Sequence, residues 1–167
     1  MDFGGMYGHI EGQPSGNPLA GGAMGCPSGY MARVLMNMTG VDWPLFYCWR
    51  WHQPGVAPRW EFGGLHGYVN GSQAANAITG MASCPGGFTS QPTHGSTGSD
   101  YPITFCWRNH GGGPATSILF GGMWGYETGA LVVNPATSWS SCPAGYTPVQ
   151  VAGQFNVDYN VFFCFKR

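Results

Sequence analysis

Charge is scarce in this sequence. Charged residues make up 8% of it, against roughly a quarter in an ordinary soluble domain. The net charge of −1 provides no basic field for a phosphate backbone, which argues against nucleic acid as a partner. No apolar run approaches the roughly 20 residues of a membrane-spanning helix. No signal-peptide pattern opens the chain, so the expectation is that a secreted protein carries this sequence in its mature form. Cys-x-x-Cys and His-x-x-x-His spacings are missing, and with them the usual zinc signatures. Gly-x-Ser-x-Gly, P-loop and dinucleotide fingerprints are missing too. The expectation is therefore no enzyme, no cofactor and no metal.

Glycine (29), proline (13) and aromatic residues (15%) are plentiful, and the apolar fraction of 43% is ordinary. Disordered chains are poor in aromatics and rich in charge, so this composition implies a packed core. The six cysteines show how it is organised. Cys26, Cys84 and Cys142 are spaced by 58 residues, as are Cys48, Cys106 and Cys164. Three motifs recur around them. The first is Phe3-Gly4-Gly5, Phe62-Gly63-Gly64 and Phe120-Gly121-Gly122. The second is Cys26-Pro27-Ser28-Gly29-Tyr30, Cys84-Pro85-Gly86-Gly87-Phe88 and Cys142-Pro143-Ala144-Gly145-Tyr146, with Asn17, Asn76 or Asn134 eight or nine residues upstream. The third runs from Asp42, Asp100 or Asp158 to Cys48-Trp49-Arg50, Cys106-Trp107-Arg108 or Cys164-Phe165-Lys166. Repeats of this kind dictate architecture. The chain reads as one domain, 1–167, of three copies: 2–60, 61–118 and 119–167.

The closing segments are rich in aromatic and β-branched residues and short enough to be strands. Asn37-Met38-Thr39-Gly40 reads as a hairpin turn, and Gly153-Gln154 takes that place in the third copy. Gly and Pro interrupt every candidate helix. The predicted fold is all-β, a pseudo-threefold, β-prism-like arrangement of three disulfide-stapled repeats, with a β-trefoil as the alternative. Glycine pairs inside strands predict a bulge or a close backbone approach. Six cysteines allow fifteen pairings, and repeat symmetry favours Cys26–Cys48, Cys84–Cys106 and Cys142–Cys164. Such a framework implies an oxidising, extracellular setting.

Recognition would live where the copies differ. Tyr7 and His9, His66 and Tyr68, and Trp124 and Tyr126 stand at matching positions of the opening motif and suit stacking on a sugar or lipid headgroup, or else fill the core. Asp42, Asp100 and Asp158 read either as turn caps or as ligand-binding carboxylates. Arg50, Arg108 and Lys166 are expected to pair with an acid of a neighbouring copy. Leu35, Met36 and Met38 give the first copy alone an apolar hairpin, which could insert into a membrane or add a layer of core. Two glycosylation sequons are present, Asn37-Met38-Thr39 and Asn70-Gly71-Ser72.

Phe-Gly-Gly, Asn134-Pro135-Ala136-Thr137, Cys142-Pro143-Ala144-Gly145-Tyr146 and the closing aromatic-Cys-aromatic-basic run together resemble the C-terminal β-domain of apicomplexan perforin-like proteins and related invertebrate repeat modules. The likeness spans the chain but rests on short motifs. It implies a triangular three-repeat β-domain with a protruding apolar loop that recognises membrane lipid. In this sequence that loop would be the hairpin of Leu35, Met36 and Met38. The pore-forming domain that accompanies such modules is absent from the sequence. The expectation is thus a secreted, multivalent, lectin-like module for cell-surface glycans. Lipid headgroup binding and a structural or adhesive matrix role are the alternatives, and self-association into a homo-oligomer is compatible with all three.

Overall fold

The computed structural model describes residues 1–10, 12–38, 41–55, 59–69, 72–96, 99–111, 119–127, 130–154 and 157–167. Copy one contributes β1 (Asp2–Ile10), β2 (Gln13–Ser15), β3 (Met31–Met38) and β4 (Val41–Arg50). Copy two contributes β5 (Trp60–Val69), β6 (Ser72–Ala74), β7 (Thr89–Ser96) and β8 (Ser99–Asn109). Copy three contributes β9 (Leu119–Glu127), β10 (Ala130–Val132), β11 (Thr147–Gln154) and β12 (Val157–Lys166). β5 thus begins one residue before the boundary read from the repeats. In the third copy β11 continues through the Gly153-Gln154 pair expected to form the hairpin turn.

Each copy builds the same antiparallel sheet. Its closing strand lies in the middle, flanked by the opening strand and the first hairpin strand. The copies then join edge to edge, always in the same sense. β1 runs parallel to β7, β5 to β11, and β9 to β3, so the nine main strands close into a ring, with β2, β6 and β10 paired to β1, β5 and β9 off it. This is the three-faced, pseudo-threefold prism. Closure leaves the main strands few free edges on which another chain could pair.

The core is layered by the same symmetry. Phe3, Phe62 and Phe120 meet one another with centroids 4.6, 5.1 and 5.3 Å apart, as three equivalent side chains can only do around a common axis. Each also meets a ring of the next copy: Phe3 with Phe105, Phe62 with Phe163, Phe120 with Tyr47. Below them lie Met6, Leu65 and Met123, then Leu45, Ile103 and Val161, all fully buried. Tyr47 replaces phenylalanine in its layer, and its hydroxyl donates to the Met123 carbonyl at 3.3 Å. Burial raises the Tyr47 pKa, so the hydroxyl keeps its proton.

The glycine pairs carry both predicted roles at once. A Cβ on Gly4, Gly63 or Gly121 would fall inside the ring of Tyr30, Phe88 or Tyr146, the aromatic that ends the cysteine motif. The second glycine of each pair has φ of +89, +86 or +91, and the strand register shifts there in all three copies, the signature of a bulge. All three disulfides pair as the symmetry requires, with Cα–Cα distances of 5.4–5.5 Å. No helix of the described residues is long and apolar enough to cross a membrane.

Candidate recognition site

The bulge exists to receive an asparagine. Asn17, Asn76 and Asn134 are fully buried, and each holds the same contacts. The Nδ2 of Asn134 donates to Gly121 O at 3.0 Å and Ser141 O at 3.1 Å, and lies 3.4 Å from Cys164 Sγ. Its Oδ1 accepts from the Ala136 N–H at 3.0 Å. Asn17 and Asn76 repeat this pattern on Gly4, Gly25, Cys48 and Leu19, and on Gly63, Ser83, Cys106 and Ile78. One side chain therefore ties the opening strand, the cystine and a short outer turn into one rigid unit per copy. The spacing upstream of each cysteine marks this asparagine in the sequence, but nothing in the spacing assigns it that role.

Two of those turns present the two most exposed large apolar side chains of the described residues, Trp139 and Met81. The backbone N–H of Asn76 donates to Met81 O and that of Asn134 to Trp139 O, so Met81 and Trp139 occupy equivalent positions. Ala23 takes that position in copy one, with Met24 following it. Exposure is 72% for Trp139, 63% for Met81 and 43% for Met24. Thr79 and Thr137 brace their turns identically, each hydroxyl donating to the carbonyl two residues on and to that of Ser83 or Ser141. Ser138, just before Trp139, is the one described non-glycine residue with positive φ, at 61°, where copies one and two use Gly22 and Gly80. A non-glycine residue in that region costs on the order of 1 kcal/mol. The third copy thus sustains backbone strain beside its exposed indole.

The opening-motif rings are less available than their chemistry suggests. Tyr7 stacks on Phe46 and Trp124 on Phe162, each pair at 4.9 Å between centroids and within 8° of parallel. Their exposures are 8% and 7%, so these rings pack the outer sheet face and are not open platforms. His66, between them by symmetry, faces Thr104 and is half-buried; burial lowers its pKa and keeps the imidazole neutral. Its ring lies beside Cys84 and Cys106, but both sulfurs are locked in the cystine and offer no thiolate to a metal. His9, Tyr68 and Tyr126 are half-buried. Tyr68 accepts a hydrogen bond from Gln73 at 3.3 Å. His9 Nδ1 is buried and finds no partner among the described residues. Asp42, Asp100 and Asp158 open β4, β8 and β12, and their side chains lie outside the described residues, as do parts of both sequons.

The hairpin reading needs correction. Leu35 is 0% and Met36 2% exposed, and both belong to the central cluster. Leu35 is equivalent to Thr93 and Val151, which are also fully buried, so the apolar run is one more core layer that copy two fills with a threonine. Thr93 donates its hydroxyl to Ile103 O at 3.1 Å, satisfying the polar group that hid this layer from the sequence pattern. The side chain of Met38 lies outside the described residues.

The strand-end cations pair within their own copy, contrary to expectation. Arg50 meets Asp2 at 2.9 Å, with His52 on the other carboxylate oxygen at 2.8 Å. Arg108 meets Glu61 at 2.6 Å, with His110 at 3.2 Å. The cause is register: antiparallel pairing sets the last residues of the closing strand against the first of the opening strand. In copy three the acid is replaced by Leu119, opposite Lys166.

No protein-family model matches the chain, and no curated protein matches it.

Proposed function

We propose that the chain is a secreted, non-catalytic recognition module that binds cell-surface glycans multivalently, in the manner of a lectin. The observation that carries this reading is Trp139, an indole 72% exposed on a turn braced from beneath by the buried Asn134. An exposed aromatic face beside hydroxyl and amide groups suits a sugar ring, whose C–H face stacks while its hydroxyls bond to the neighbours. Thr137, Ser138 and Ser140 supply such neighbours in sequence. Fixing the turn in advance lowers the ordering cost of binding. The turns of copies one and two, with Ala23 and Met81 in the place of Trp139, sit on the same rigid frame, and any site they add raises avidity through effective concentration.

The test is a glycan array followed by competition with the free sugar. Trp139→Ala should weaken the best hit on the order of tenfold, the equivalent of one stacking contact. A protein that binds no glycan, or a variant that binds as well as the parent, refutes the reading. Met81 and Met24 at the equivalent turns favour a second reading, lipid headgroup binding through these tips. Co-sedimentation with vesicles that is lost on Met81→Ser would establish it in place of the first.

A further inference from the structure

The net charge of −1 conceals an uneven distribution. Of the six Lys and Arg residues, Arg50, Arg59, Arg108, Lys166 and Arg167 lie at or beside the ends of β4, β8 and β12 and the start of β5, which register places at one end of the prism. Of the seven acids, Asp2 and Glu61 share that end, each held by its Arg and His. The other five, Glu11, Asp42, Asp100, Glu127 and Asp158, fall in the sequence beside the turns at the opposite strand ends. Five cations against two carboxylates leave an excess of three positive charges at the first end.

That excess gathers at one seam. Arg59 precedes β5; Lys166 ends β12 and Arg167 follows it; and β11 alone stands between β5 and β12. Two strand spacings are about 10 Å, comparable to the Debye length in about 0.1 M salt, so these charges reinforce one another at low ionic strength. All three residues are exposed. Arg167 reaches across the seam to the carbonyls of Ala77 and Ile78, at 2.8 and 3.2 Å. Arg59 lies 5.1 Å over the Trp60 ring. Among the described residues Lys166 forms no ion pair, because Leu119 stands where the other copies carry an acid.

We propose that this seam binds a linear polyanionic polysaccharide, one bearing sulfate or carboxylate groups along its length, through Arg59, Lys166 and Arg167. The cations stand on separate elements and converge on no single pocket, which suits charges spaced along a polymer more than one small anion. Of the exposed apolar residues near this end, Trp51 and Met31 belong to copy one and lie off the line of charge, whereas Leu119 stands opposite Lys166 and Met81 ends the turn that Arg167 holds. The vesicle arm of the test below therefore separates a polysaccharide from a bilayer. The proposal rests on Arg59, Lys166 and Arg167 and does not depend on the reading of the Trp139 turn.

Immobilised heparin, with neutral dextran as control, tests the proposal on the full chain. Three neutralised charges predict a log–log salt slope of about −2.7, so affinity should fall roughly 40-fold between about 50 and about 200 mM NaCl. The triple variant Arg59→Gln, Lys166→Gln, Arg167→Gln should pass through at the lower salt. Leu119→Glu, which sets a carboxylate beside Lys166, should weaken retention several-fold. Arg33→Gln, on β3 opposite Tyr47 and away from this end, should change nothing; nor should Trp139→Ala, whereas the triple variant should keep any neutral-glycan binding. Matching thermal melts will show that the exposed substitutions leave the fold intact. Equal retention of parent and triple variant, or a parent that passes through at low salt, overturns the proposal. Anionic phosphatidylserine vesicles that hold the protein against excess free heparin also overturn it, assigning the end to a membrane.

Discussion

Asn134→Ala removes one buried side chain and should cost far more than its size suggests. The amide satisfies two carbonyls and one N–H, at 3.0, 3.1 and 3.0 Å, and alanine leaves all three without that partner. Each bond is worth about 1 kcal/mol net, and a buried group left unsatisfied costs about 1–3 kcal/mol, so the loss is about 3–5 kcal/mol. Against a total stability of about 5–15 kcal/mol this is a large fraction. With a urea m-value of about 2 kcal/mol/M, the midpoint should fall by about 2 M in equilibrium unfolding with disulfides intact. Asn134→Asp keeps the shape but turns an anion toward two carbonyl oxygens, and should cost more than alanine. Asn17→Ala and Asn76→Ala should match Asn134→Ala within about 1 kcal/mol, since they lose the same contacts. A midpoint shift below about 0.5 M with an unchanged slope would refute the idea that the asparagine holds the unit together.

Two further outcomes follow from burial. Met36→Asp places a carboxylate at a 2% exposed position in the central cluster, and should destabilise by about 4 kcal/mol or more, read as a lowered melting temperature. Any loss of membrane or ligand binding that accompanies a normal melt in this variant would contradict the core assignment. His66, whose folded pKa lies below its ordinary value of 6.5, binds fewer protons folded than unfolded. Its contribution to stability is complete above pH 6.5 and is lost as pH falls from there through the folded pKa. His66→Tyr, which copies the residue of the first repeat, should therefore flatten the decline in urea midpoint between about pH 7 and about pH 5. An unaltered decline would show that other groups cause it.

The repeat made much of the architecture legible. Three internal copies act as an alignment within one chain, so the cystine pairing, the hairpin between the cysteines and the glycine pairs could be argued from sequence alone. What failed was the assignment of inside and outside at particular positions. Thr93 interrupts the hydrophobic pattern of a core layer, so Leu35 looked specific to the first copy when its layer is common to all. The rings of Tyr7 and Trp124 have the chemistry of a binding platform, but Phe46 and Phe162 cover them, a cross-strand contact that spans nearly forty residues of sequence. Arg50 and Asp2 lie 48 residues apart and meet only because the closing strand runs back along the opening one. Trp139 escaped notice because an exposed indole and a buried one read alike in sequence; the Asn134 turn decides between them.

The positions that vary among the copies fall into two groups with opposite physics. Inside the frame, variation is compensated locally: Tyr47 finds a carbonyl and Thr93 bonds to Ile103 O, and each exchange leaves its layer packed. On the turns and at the charged end, variation is left uncompensated. Trp139 stays uncovered beside a strained Ser138, and Leu119 leaves Lys166 without the acid that Arg50 and Arg108 enjoy. Stability alone would repair these sites, with glycine in the place of Ser138 and an acid in the place of Leu119, as the other copies already do. Both uncompensated sites lie in the third copy, where an exposed indole stands on the turn and the strand-end cation has no acid opposite it. Interaction with something outside the chain is the physical reason to keep them, and copy three is where a ligand should first be sought.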